Sequence, residues 1–304
     1  MNIEIINQLT ILQKHYFNIQ DKYRALAYGK ALVVIRMLNF EIKDVSQLKG
    51  ITGIGKKTRD KIEEILLKGK IKKVEEVKQF KPILSNKEQI IKMFEKIWGV
   101  GPVKANELYN KGITSWSDLD KNLHLLTDQQ KIGYRYYDDL IKKIPRTIID
   151  NFKSTLTHIF DTELKNYIFE IAGSYRRGKQ ECGDVDCLII CEDSDLNSIV
   201  NILKNWGVIT DVLSTSTEKF MGIARQDDTF FRLDIEFVPK DQYASCLLYF
   251  TGSRELNIMM REQAKKQGYI LNQKGLFRGG KIDTPTEESI FTELGMKYVP
   301  PIQR

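Results

Sequence analysis

The 304-residue chain predicts an α+β fold, with a helical front part and a sheet-bearing rear part. Three observations carry this reading. Up to about residue 145 the apolar residues recur at helical spacing, broken by two Gly-x-Gly turns. From about residue 146 onward, runs rich in Ile, Val and Phe alternate as half-buried strands do. Between the two stands Ile144-Pro145-Arg146, and proline starts or stops helices. The length is enough for two or more domains. The expected boundaries are 1–80, 81–145, 146–240 and 241–304.

In the front part, Leu48-Lys49-Gly50-Ile51-Thr52-Gly53-Ile54-Gly55-Lys56-Lys57 leads into a helix beginning near Thr58. Ile97-Trp98-Gly99-Val100-Gly101-Pro102-Val103-Lys104 leads into another at Ala105. Each Gly-x-Gly lets another backbone come close, and each helix N-terminus offers N–H groups to a phosphate. This is the helix-hairpin-helix pattern. One copy alone is as readily an ordinary helix-connecting turn. Two copies on a chain with 47 Lys+Arg against 40 Asp+Glu, a net charge of +7, favour phosphate binding without base reading. The expected DNA contacts are Gly53, Gly55 and Lys57 in one turn and Gly99, Gly101 and Lys104 in the other. Lys61 follows Lys57 by one helical turn and lies near Arg59. Clustered cations would favour a neutral, nucleophilic amine there; the plainer reading is that these lysines only bind DNA.

In the rear part a helix is expected over 146–160 and a strand over 168–172. The turn Gly173-Ser174-Tyr175-Arg176-Arg177-Gly178 follows, then Gly183-Asp184-Val185-Asp186 opening a strand over 185–191. A helix near 194–206 precedes a strand over 230–238; beyond Pro239 comes a helical stretch and an αβ tail. Residues i and i+2 of a strand share a face, so Asp184 and Asp186 converge while Val185 and Cys187 face the other way. In the later strand Arg232, Asp234 and Glu236 share one face. If the strands are neighbours, Asp234 joins the first two aspartates. Three such carboxylates can hold two Mg²⁺, with Mn²⁺ able to substitute; the Gly-Ser turn and Arg176–Arg177 offer N–H, hydroxyl and guanidinium donors to a phosphate. Metal ligands beside phosphate donors imply phosphoryl or nucleotidyl transfer. The plain alternative is a solvated strand edge.

Cys182, Cys187, Cys191 and Cys246 lack paired zinc spacing and read as ordinary thiols in a reducing setting. No apolar stretch is long enough to span a bilayer, and the first residues lack a signal peptide's pattern. An intracellular, unsecreted protein is expected, in nucleus or cytoplasm.

The order Gly-Ser, Asp-x-Asp and a distant Asp resembles the nucleotidyltransferase superfamily. Tyr249-Phe250-Thr251-Gly252-Ser253, followed by Leu256-Asn257 and Met260-Arg261, narrows the resemblance to family X DNA polymerases of the beta and lambda type. It runs nearly end to end. It implies a helical 5′-phosphate-binding domain, a second helical DNA-binding subdomain, a nucleotidyltransferase-type palm with a mixed sheet, and a C-terminal α/β subdomain that grips the nascent pair. The implied activity is template-directed nucleotidyl transfer from dNTP to a primer 3′-OH in gapped or nicked DNA. Asp184 and Asp186 would bridge both Mg²⁺ ions and Asp234 would hold one. Arg146, Ser174, Arg177 and the Gly183 N–H would hold the triphosphate. Tyr249, Phe250, Gly252 and Asn257 would hold the nucleotide, and Arg232 and Arg261 the primer and template.

The resemblance further implies 5′-deoxyribose-phosphate lyase chemistry at Lys61, with a phosphate pocket of Tyr23, Arg24, Tyr28, Lys49 and Lys57. Tyr23 stands where polymerase beta has a histidine. It implies Na⁺ or K⁺ on backbone carbonyls of Lys49, Ile51 and Ile54, and of Glu95, Ile97 and Val100. Arg254, Ile258 and Phe231 depart from the family pattern. The segment Arg225–Thr229 is short where template-independent members carry an insertion. A monomer working beside repair partners such as a DNA ligase is implied. Rival readings are a poly(A)- or CCA-adding nucleotidyltransferase, a polymerase whose helical part only binds DNA, and a catalytically silent DNA-binding relative.

Overall fold

The structure, a computed structural model, describes residues 2–79 and 85–304. It divides into two compact units. One holds Met1–Pro82 together with Thr251–Arg304; the other is Ile83–Phe250. The boundary expected at 80–81 lies outside the described residues.

The first unit opens with four helices: α1 (Ile3–Asn18), α2 (Lys22–Met37), α3 (Lys56–Lys68) and α4 (Lys72–Gln79). Their apolar faces meet in a core of Leu9, Leu12, Leu32, Ile35, Leu48, Ile62 and Ile71. The first Gly-x-Gly turn is built as its sequence requires. Gly53 has φ +96, the left-handed region that favours glycine, and Gly55 caps α3 in extended backbone.

The second unit begins with a helical layer: α5 (Asn86–Phe94), α6 (Pro102–Asn110), α7 (Trp116–Asp120), α8 (Asp128–Arg135) and α9 (Tyr137–Leu140). It closes on Phe94, Ile97, Leu108 and Leu119. Gly99 takes φ +82 and Gly101 caps α6 with Pro102 at its first position, so the second turn repeats the first.

Strand β1 (Ile144–Pro145) and helix α10 (Arg146–Glu163) then open the sheet-bearing part. They are followed by β2 (Tyr167–Ile171), α11 (Gly173–Arg176), β3 (Glu181–Cys182), β4 (Val185–Cys191), α12 (Leu196–Asn205), β5 (Ile209–Thr215), β6 (Lys219–Gln226), β7 (Thr229–Phe237) and α13 (Tyr243–Thr251). The five-stranded sheet runs β2-β4-β7-β6-β5. Only β4 and β7 are parallel, so the sheet is mixed as expected. One face packs on α10 and α12 through Val185, Cys187, Leu233 and Ile235, with Phe152, Leu156, Ile199 and Leu203 opposite. The other face carries the charged residues and is partly covered by Cys246, Leu247 and Phe250 of α13. The sheet's alternation therefore puts the predicted acids on the side away from the main core. All four cysteines are buried and free.

After Phe250 the chain returns to the first unit with α14 (Arg254–Lys266), β8 (Ile270–Asn272), β9 (Gly275–Phe277), β10 (Lys281–Ile282) and α15 (Glu287–Glu293). Helix α14 lies against α2, with Lys30 paired with Glu262 (2.6 Å), and Gln13 of α1 donates to Glu255 (2.8 Å). The C-terminal segment thus shares a compact unit with residues 1–82, a partnership the linear domain reading did not express. Among the described residues no helix is long and apolar enough to cross a membrane.

Candidate active site

Parallel pairing of β4 and β7 puts Asp186 and Asp234 directly opposite each other, with Val185 opposite Leu233. Asp184 precedes β4 on the same face. The three aspartates therefore meet as the i, i+2 argument requires. Asp186 is half-buried, and burial, reinforced by the charges of Asp184 and Asp234, pushes its carboxyl up to about 7. Burial also raises Asp234, against the pull of Arg232 and Lys219.

Arg232 stands between the acids. Its Nη2 donates to Asp184 Oδ2, and its Nε lies 3.2 Å from Asp234 Oδ1. Both that nitrogen and that oxygen are buried without a hydrogen bond. Arg232, which the resemblance sets near a primer, is thus also a cation of the acidic site. The guanidinium draws on two of the three acids, and among the described residues no three His, Cys, Asp or Glu side chains form a ready metal cage. The donor set still suits Mg²⁺: hard carboxylate oxygens, one of them orphaned and buried, and one acid whose carboxyl is pushed up by burial and by the neighbouring acids.

The Gly173–Arg177 turn lies at the same end of the sheet. Gly173 has φ +54, and a Cβ there would collide with Asp186 Oδ2, so only glycine brings the Ser174 turn so close. The Ala172 N–H donates to the Asp186 carbonyl (2.8 Å). Arg146 lies over the Tyr175 ring (4.1 Å) and donates to the Tyr175 carbonyl (2.7 Å), which fixes it beside the Ser174–Arg177 turn. Gly183 and Arg232 share an open cleft of about 530 Å³ with Ile97, Trp98, Gly99, Val100 and Gly101 of the second turn. Tyr249 and Phe250 meet edge to face at 5.0 Å. The Tyr-Phe-Thr-Gly-Ser run then crosses from one unit to the other; Gly252, Asn257 and Arg261 belong to the first, and the Gly252–Ser253 peptide is cis.

Sequence reasoning passed over two residues here. Lys219 of β6 is paired with Glu236 of β7 at 2.5 Å, and its ammonium also lies 5.6 Å from the Phe250 ring centroid. Glu236 was visible on the acidic face, but Lys219 becomes a neighbour only through the β6–β7 register.

In the first unit the surroundings of Lys61 differ from the expected cation cluster. Its ammonium is paired with Glu64 at 2.7 Å, one helical turn on, and Arg59 instead donates to the Ile54 carbonyl (2.9 Å). The Lys61 bond, with the Lys72 N–H, lowers Glu64. Tyr28 is buried against Tyr16 (5.7 Å), and burial pushes its hydroxyl up to about 12; Arg24 lies over the same Tyr16 ring (5.0 Å). Tyr23 is 90 % exposed, and Lys49 and Lys57 are exposed. In the second turn Lys104 is paired with Glu107 (3.1 Å) in a partly buried bond. A monovalent cation at the first turn would be repelled by Arg59, whose guanidinium already engages Ile54. In the second turn the Ile97 carbonyl accepts the Val100 N–H (3.0 Å).

A pH effect follows from Asp186. Its folded-state pKa lies above its unfolded value, so without divalent cations the folded state holds this proton up to about pH 7. The carboxyl's contribution therefore favours folding at low pH and is lost as pH rises through 7. The wild-type melting temperature, measured against Asp186→Asn, is expected to fall between pH 5 and pH 8. Saturating Mg²⁺ is expected to reverse that difference. A parallel pair of pH profiles would refute the assignment.

A mixed sheet with paired aspartates across parallel strands, next to a Gly-Ser turn, is the arrangement of a nucleotidyltransferase palm. The comparisons narrow it. Family models match four consecutive segments: a helix-hairpin-helix domain over 1–71, the fingers domain of DNA polymerase lambda over 92–141, the DNA polymerase beta palm over 143–240 and the DNA polymerase beta thumb over 246–304. DNA polymerase lambda from Rattus norvegicus is 32% identical over 330 residues, covering 100% of this chain and 56% of that protein. DNA polymerase lambda from Arabidopsis thaliana is 33% identical over 319 residues, covering 95% of this chain and 59% of that protein. DNA nucleotidylexotransferase from Xenopus laevis is 26% identical over 341 residues, 97% of this chain and 66% of that protein. The chain belongs to the family X DNA polymerases. It spans a little over half the length of the two polymerase lambda relatives.

Proposed function

We propose that this chain is a template-directed DNA polymerase of the repair type, extending a primer 3′-OH across short gaps with dNTPs. The observation that carries the reading is the Asp186–Asp234 register pair, with Asp184 beside it and the Ser174 turn against it. Two Mg²⁺ ions, replaceable by Mn²⁺, would supply Lewis-acid activation of the hydroxyl and charge neutralisation of the phosphates. Asp184 and Asp186 would hold both and Asp234 one. Arg232 would then give up Asp184 and Asp234 and remain nearby as a cation for the primer strand. Arg146, Ser174, Arg177 and the Gly183 N–H would hold the triphosphate, so that catalysis is mostly positioning. Tyr249, Phe250, Gly252 and Asn257 would hold the sugar and base, and Arg261 the template.

The two Gly-x-Gly turns would grip the backbone through Gly53, Gly55, Lys57, Gly99, Gly101 and Lys104. The second turn, through Glu95, Ile97 and Val100, is the better seat for Na⁺ or K⁺, because Arg59 already serves the first. The short β6–β7 turn at Asp227–Asp228 supports template-directed over template-independent synthesis. Lys61 would add 5′-deoxyribose-phosphate lyase chemistry, with Tyr23, Arg24, Tyr28, Lys49 and Lys57 toward the phosphate. The protein would act inside the cell as a monomer, leaving a nick for a DNA ligase.

The test is primer extension on a one-nucleotide-gapped duplex with Mg²⁺ and each dNTP singly. Insertion of only the complementary nucleotide is expected. Insertion without regard to template, or none, would overturn the reading.

A further inference from the structure

The acidic face of the sheet is ordered in two rows. The first runs Asp186, Asp234, Met221 across β4, β7 and β6; the next runs Leu188, Glu236, Lys219. Two cations serve this face, Arg232 and Lys219. Arg232 sits on the acids of the first row, whereas Lys219 is paired with Glu236 in its own row at 2.5 Å. Glu236 is the more enclosed partner, 16% exposed against 42% for Lys219. The neighbouring row is about 7 Å away, within the swing of a four-carbon lysine stem.

We propose that Glu236 is a positioning residue for nucleotidyl transfer: it holds the Lys219 ammonium off Asp186 and Asp234 and so keeps these carboxylates open to divalent cations. The proposal rests on the cation-binding reading of the aspartates. Its physical basis is competition. An ammonium free to reach two enclosed carboxylates occupies the charge that a metal needs, and enclosure makes that attraction stronger than in water. Arg232 already shows that a side-chain cation settles on these acids when it can. Opposite Glu236, Lys219 has a nearer carboxylate in its own row and a ring face beside it, the Phe250 ring at 5.6 Å. The plainer role for the pair is a cross-strand bond tying β6 to β7. The two roles differ in what happens when both charges are removed together.

The experiment titrates the whole chain with Mn²⁺ alone and reads free Mn²⁺ by electron paramagnetic resonance. The aspartate site is defined as the binding lost in Asp186→Asn. Glu236→Gln is expected to weaken that site about tenfold, because Lys219 is released onto it. Lys219→Met is not expected to weaken it. The double variant Glu236→Gln/Lys219→Met is expected to recover the affinity of Lys219→Met, and Glu236→Asp to stay near wild type. Unchanged affinity in Glu236→Gln overturns the proposal, as does a double variant no better than Glu236→Gln. Wild-type protein with no Mn²⁺ binding lost in Asp186→Asn sinks the cation reading itself, and the proposal with it. Melting curves of each variant separate a cross-strand structural role, which lowers stability without this pattern of affinities.

Discussion

Replacing Asp234 with alanine is expected to abolish gap filling, by about 10³-fold or more in kcat. Asp234 is 8% exposed, lies opposite Asp186, and has one carboxylate oxygen buried without a hydrogen bond. A metal at such a site supplies several kcal/mol of transition-state charge stabilisation, and each 1.36 kcal/mol is roughly tenfold in rate. Asp234 also answers half of Arg232, so the variant leaves that guanidinium nearer Asp184 alone. The loss is expected in kcat more than in DNA affinity, because the Gly-x-Gly turns are untouched. Single-turnover insertion on a gapped duplex, with DNA binding measured alongside, checks both parts. Insertion within tenfold of wild type would mean that the acids are a charged strand edge and that the chemistry lies elsewhere.

Much of this site was legible in the sequence, for a definite reason. Asp184, Asp186 and Asp234 lie on strands whose alternation is strict, and period-2 alternation fixes the face of every side chain at once. The i, i+2 argument therefore put Asp184 and Asp186 on one face, and Asp234 on one face of its own strand; that the two strands are neighbours was a condition that the β4–β7 pairing meets. The Gly-x-Gly turns were legible because glycine at positive φ and a helix N-cap are local requirements, met at Gly53 and Gly99 as the motif demands.

What stayed hidden depends on pairing across the sheet or between distant segments. The β6–β7 register carries Lys219 to Glu236, and nothing local in either strand names the other. Arg232 lies two residues from Asp234 and was read as facing DNA. Only the adjacency of β4 shows that its guanidinium reaches Asp184. The return of residues 251–304 to the unit of residues 1–82 is likewise a long-range fact, carried by pairs such as Lys30–Glu262.

The Lys61 neighbourhood is a different kind of miss, since Glu64 was in plain view at i+3. Counting only Lys57 and Arg59 suggested an amine crowded by cations; the helix instead sets a carboxylate 2.7 Å from it. Replacing Lys61 with alanine is expected to remove the borohydride-trapped adduct with a 5′-deoxyribose-phosphate duplex, by at least about tenfold, while gap filling is retained. Trapping requires a nitrogen lone pair, so Lys61 must leave Glu64 before it attacks C1′ of the sugar. The Glu64 carboxylate, held ionised by Lys61 and the Lys72 N–H, then stands free to take a proton. Glu64→Gln separates its two effects: adduct formation is expected to quicken as the amine is released, and strand release from the adduct to slow as the base is lost. Rapid-quench trapping reads the first, and the appearance of the freed 5′-phosphate strand reads the second. Undiminished trapping by Lys61→Ala would move the nucleophile to another lysine. No trapping by the wild type would leave the helical part as a DNA grip alone.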